Sequence, residues 1–90
     1  MENIIKNLKN ELLNEELNFI ELDTIMVNNG FYSVLDDGII NDIKQDLNVV
    51  YSLVETGEAT IIINFKITID SGKDEIKESF YIKVVNIELF

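Results

Sequence analysis

The chain has no cysteine, histidine, proline, arginine or tryptophan, and only four glycines in 90 residues. Without cysteine there is no disulfide, no thiolate metal site and no thiol nucleophile. Without histidine the usual general base and the commonest transition-metal ligand are both missing. The glycines never cluster, which excludes a phosphate-cradling loop. Cations are scarce: seven lysines face seventeen acids, for a net charge of −10. Phosphate contacts need clustered cations, so this balance argues against direct binding of DNA, RNA or an anionic membrane surface. It favours a cationic partner, or high solubility alone. No apolar run approaches the length of a membrane span, and the N-terminal stretch lacks the apolar core of a signal peptide. A cytoplasmic protein is the expectation.

What is present is a sheet-forming core. Apolar residues make up 47% of the chain, enough for one packed domain over residues 1–90. Fifteen are isoleucine, a β-branched residue that favours strands. The clearest pattern runs from Ala59 to Ile69. Odd positions read Ala59, Ile61, Ile63, Phe65, Ile67, Ile69, and the positions between are mostly polar, the period of two of a half-buried strand. Ser71-Gly72-Lys73-Asp74 has turn chemistry, and Ile76, Phe80, Ile82 and Val84 return on one face. After Val84 the apolar phase switches to Val85, Ile87 and Leu89, which predicts a β-bulge or an end that pairs with another surface. The apolar ending Ile87-Glu88-Leu89-Phe90 either completes the core or docks on a second copy.

The remainder reads as the cover for this hairpin. Ile4, Ile5, Leu8, Leu12 and Leu13 recur at spacings of three and four, predicting a helix from Glu2 to about Asn18. Asn28-Asn29-Gly30 between apolar runs predicts a hairpin near 22–28 and 31–35; the alternative is a longer first helix followed by a loop. Asp36-Asp37 supplies a helix N-cap. Ile39, Ile40, Ile43, Leu47, Val50, Tyr51 and Val54 then follow at helical spacing, with Gly57 as the stop. The expected class is α+β, an antiparallel sheet with two helices in the order helix, hairpin, helix, hairpin.

Candidate chemistry is limited to carboxylates, lysines and hydroxyls. Asp36, Asp37 and Asp42 are hard-cation ligand types, but EF-hand spacing is absent and helix capping accounts for the first two. No nucleophile–base pair is legible, so no enzyme, metal or cofactor is expected. The distinctive feature is charge distribution. Eight acids and no base fall within the 34 residues from Asn10 to Ile43. Carboxylates spaced over a surface imitate nucleic-acid phosphates and occupy basic grooves through charge steering. Glu11, Glu15, Glu16, Glu21, Asp23, Asp36, Asp37, Asp42 and Asp46 are the expected partner-binding acids, with Tyr32 beside Phe31 as an apolar anchor.

From Val34 onward the chain resembles small phage and prophage proteins labelled replication-terminator-like. The resemblance rests on Asp37-Gly38, Ile40-Asn41 and Leu47, on Thr60-Ile61-Ile62-Ile63-Asn64-Phe65-Lys66-Ile67-Thr68-Ile69, and on Phe80-Tyr81-Ile82-Lys83-Val84. It implies phage origin and DNA-linked work, and it transfers no functional residue. Together these readings lead to the expectation of a non-enzymatic phage or mobile-element protein in the host cytoplasm. Its acidic surface would inhibit a host nucleic-acid enzyme, a CRISPR effector or another defence protein. The alternative is a structural or regulatory phage module that self-associates through its last strand.

Overall fold

The computed structural model describes residues 2–35, 37–70 and 80–90. Within them the chain runs α1 (Glu2–Leu12), β1 (Glu16–Asn18), α2 (Phe19–Asn28), α3 (Asp37–Asp46), β2 (Asn48–Ser52), β3 (Ala59–Asp70) and β4 (Phe80–Leu89). The class is α+β. The strands form one antiparallel sheet in the order β1-β4-β3-β2, and the long hairpin β3–β4 is its centre.

Period-two patterning builds that hairpin. Ile63 pairs with Ile87, Phe65 with Val84 and Ile67 with Ile82, which puts both apolar rows on one face. The register shifts between Asn64↔Asn86 and Phe65↔Val84, leaving Val85 as an extra residue. This bulge is what the phase switch after Val84 requires: one inserted residue returns Ile87 to the inner face. The Ser71–Asp74 turn and Ile76 lie outside the described residues.

All three helices cover the same face. Leu8 and Leu12 of α1, Phe19, Leu22 and Met26 of α2, and Ile43 of α3 pack against Leu17, Val49, Tyr51, Ile61, Ile63, Phe65, Ile82, Val84 and Ile87. Burying each such side chain contributes about 1.5–3 kcal/mol. Phe19 meets Phe65 edge-on at 6.3 Å, and Phe31 meets Tyr51 at 6.2 Å, geometry that favours aromatic pairs beyond area alone. The outer face, with Val50, Ile62, Asn64, Lys66, Lys83 and Glu88, has no described helix over it.

The element order differs from the expected one in three places, each with a local cause. The first helix stops at Leu12, because Asn14 turns the backbone to φ 66°, a conformation asparagine tolerates. Leu17 is buried from strand β1 instead of from the helix.

No hairpin forms near 22–35. Residues 19–28 are helical, opened by a capping box in which Asn18 accepts from the Glu21 N–H at 2.8 Å and Glu21 accepts from the Asn18 N–H at 3.4 Å. Gly30, at φ 92°, does not form a hairpin turn. It closes the helix as a Schellman motif, with Gly30 N–H to the Val27 carbonyl at 3.0 Å and Phe31 N–H to that of Met26 at 3.1 Å.

The long second helix also ends early. α3 starts at Asp37, so a cap at Asp36 falls outside the described residues, and Leu47 at φ 61° terminates it. The Leu47 carbonyl accepts from the Phe65 N–H at 3.1 Å, which ties the helix end to β3 and starts β2. Residues 48–52 then alternate, burying Val49 and Tyr51. Gly57, at φ 71°, turns the chain into β3 rather than capping a helix.

Candidate functional site

The stretch from the end of α1 to the start of α2 forms an acidic corner. Glu11 is exposed in the last turn of α1, and Glu15 is exposed in the following turn. Backbone bonds hold that turn to the sheet: Asn14 N–H donates to the Val84 carbonyl at 2.8 Å, and Val84 N–H donates to the Glu15 carbonyl at 3.3 Å. Glu16 opens β1 opposite Lys83. Alternation along the strand sends Leu17 inward and leaves Glu16 exposed. Glu21 stays exposed while its carboxylate caps α2, where the helix dipole favours a negative group. Secondary structure thus displays four glutamates within eleven residues, and no described lysine forms an ion pair with any of them.

The other expected acids lie elsewhere. Asp42 and Asp46 are exposed one turn apart on α3, which leads into β2. Strands β1 and β2 are the opposite edges of the sheet, three strand spacings or about 14 Å apart. The acids therefore divide into two groups. Asp37 begins α3, and Asp36 lies outside the described residues. Tyr32 is 51% exposed whereas Phe31 is buried, so the pair splits between surface and core. Tyr32 sits beside β2, its N–H donating to the Ser52 carbonyl at 2.9 Å, away from the glutamate corner. Among the described residues no three acids gather at cation-binding distance.

Asp23 is a correction. It is a core residue, 3% exposed, because it falls on the α2 face that also carries Phe19, Leu22 and Met26. Its Oδ1 accepts from the Tyr51 hydroxyl at 2.9 Å and from the Val34 N–H at 2.9 Å, and its Oδ2 accepts from the Ser33 hydroxyl at 2.6 Å. These donors satisfy a carboxylate that burial would otherwise penalise heavily. Burial, and then the charge and hydrogen bond of Asp23, push the Tyr51 phenol far above its ordinary range. The network pins the Ser33–Val34 segment to the core. The signal for it was one acid at helical spacing inside an apolar stripe.

Of the five described lysines, Lys6 and Lys9 lie on α1 and Lys44 on α3. The other two, Lys66 and Lys83, are register partners on the outer sheet face, with Glu16 following in the same row. That face is nearly balanced in charge, and the α1–β1–α2 corner is not. No family model, curated protein or solved structure matches the chain.

Proposed function

We propose that this chain is a non-catalytic binding protein of a phage or mobile element, acting in the host cytoplasm. It inhibits a host nucleic-acid enzyme, a CRISPR effector or another defence protein, by occupying a cationic nucleic-acid groove. The observation that carries the reading is the corner of Glu11, Glu15, Glu16 and Glu21, held on three consecutive elements and exposed without a paired base among the described residues. Such a surface is steered to a basic groove by opposite charge and competes there with phosphates. The working surface is narrower than the full set of acids: Asp42 and Asp46 sit towards the far edge, and Asp23 is structural.

The test is a pull-down of tagged protein from the lysate of a low-GC bacterium, repeated with Glu11, Glu15 and Glu16 reversed to lysine and Glu21 changed to glutamine. Salt-sensitive capture of a basic nucleic-acid enzyme by the parent, lost in the folded variant, supports the proposal. Capture unchanged by the reversal refutes the mimicry.

A further inference from the structure

Strand β2 is an edge of the sheet, and only part of that edge is covered. Val49 and Tyr51 pair with Ile63 and Ile61 of β3. On the other side, Tyr32 N–H donates to the Ser52 carbonyl and Val54 N–H donates to the Gly30 carbonyl, both at 2.9 Å. Backbone groups alternate in direction along a strand, so the even-numbered residues of β2 face outward. The segment from Gly30 to Tyr32 occupies the Ser52 and Val54 positions. The Val50 N–H and C=O and the Asn48 C=O also face outward, and no described group bonds them.

Sheet edges are ordinarily blunted by shortness, charge or proline. The β1 edge has three residues and opens with Glu16. The β2 stretch Asn48–Ser52 has neither a charged residue nor a proline, so it is a template for another strand. Its surroundings differ on the two sheet faces. Alternation puts Val50 on the outer face, together with exposed Tyr32, the neighbour of buried Phe31. The helices lie on the inner face, where α3 runs into β2 and carries exposed Asp42 and Asp46. Exposed Glu55 and Glu58 follow at the other end of the strand. Between residues 42 and 58 these four acids stand with one base, Lys44.

We propose that the β2 edge binds a short extended segment of a partner protein in which lysine or arginine alternates with apolar residues. The segment adds a strand beside Asn48 and Val50, main-chain bonds holding it and alternate side chains selecting it. Its apolar side chains lie against Val50 and Tyr32, and its cations turn towards Asp42 and Asp46. Charge complementarity selects this occupant: a second copy of the chain would bring the same acids to the interface. The acids and the tyrosine that the fold keeps away from the glutamate corner thus share a surface of their own. None of the corner glutamates takes part, so the two proposals fail independently.

Nuclear magnetic resonance titration of the full chain tests this with the capped peptide Lys-Val-Lys-Val-Lys-Val-Lys. A twin peptide, N-methylated at every residue, keeps the charges but donates no backbone hydrogen bond. The first peptide is expected to shift the amide resonances of Asn48, Val50 and Ser52, and the twin to leave them in place. Tyr32→Ser is expected to weaken binding about tenfold or more, as for loss of an aromatic anchor; the side chain is exposed, so the fold should hold. Asp42→Asn with Asp46→Asn should weaken binding and reduce its salt dependence. A Val50 amide unmoved by the first peptide overturns the proposal, as do equal effects of the two peptides or shifts confined to the glutamate corner.

Discussion

The Tyr51 hydroxyl donates to Asp23 Oδ1 at 2.9 Å, joining α2 to β2 across 28 residues of sequence. The same carboxylate holds Ser33 and Val34, so one buried group ties a helix, a strand and a connecting segment together. Tyr51→Phe removes a hydrogen bond to a charged acceptor and is expected to cost about 1.5–3 kcal/mol. Asp23→Ala strands three donors and should cost more. Urea denaturation of both variants is the check, and a Tyr51→Phe protein as stable as the parent would remove the network from the list of stabilising features.

The same pair predicts a pH dependence. The folded Tyr51 phenol titrates well above its ordinary value of 10.0. Above that pH the unfolded chain releases a proton that the folded chain retains. Its contribution is therefore fully present below pH 10 and falls as pH rises beyond it, by about 1.4 kcal/mol per pH unit. The difference in urea stability between the parent and Tyr51→Phe, followed from pH 8 to 11, isolates this slope.

The capping box gives a third expectation. Asn18→Ala leaves the Glu21 N–H without its acceptor and should cost about 1 kcal/mol. Glu21→Gln preserves the box, because glutamine serves the same role, and should change stability little while removing one corner charge. Thermal melts of the two variants separate capping from surface charge.

Gly30 tests the helix ending. A Cβ there meets nothing within 4 Å, yet φ is +92°. Gly30→Ala should therefore destabilise through backbone strain alone, by about 1–2 kcal/mol. Gly30→Asn should cost less, since asparagine tolerates positive φ. Equal losses for the two substitutions would point to a cause other than φ.

The hairpin predicts a contrast along one strand. Ile63 is 0% exposed and Ile69 is 49% exposed. Ile63→Ala should cost about 2–5 kcal/mol, whereas Ile69→Ala should remain within about 1 kcal/mol. Denaturation midpoints at constant slope settle the comparison.

Where a single period explained a segment, the sequence was enough. Ala59 to Ile69 permits no helical reading, so the strand was legible and so was its inner face from Ile61 to Ile67; a second register shift at Thr68 sets Ile69 opposite Tyr81 and turns it out of that face, 49% exposed. The phase switch at Val85 was legible as either a bulge or an end pairing with another surface, and the register shift between Asn64 and Phe65 decides for the bulge. The α+β class followed from these strands together with the apolar stripe of α1. Two segments carried competing signals, and tertiary contacts decided them. Residues 47–54 satisfy both a helical spacing and an alternation; they become β2 because Ile61 and Ile63 need a neighbour on the open side of β3, and Val49 and Tyr51 supply it. Residues 18–30 hold both a capping box and an Asn-Gly turn signal, and the helix prevails because it buries Phe19, Leu22 and Met26 together. Charge followed the same division. The sequence alone determined that acids dominate between Asn10 and Ile43. Only the fold separated exposed Glu11, Glu15, Glu16 and Glu21 from buried Asp23, because a carboxylate is tolerated in a core wherever packing brings it enough donors.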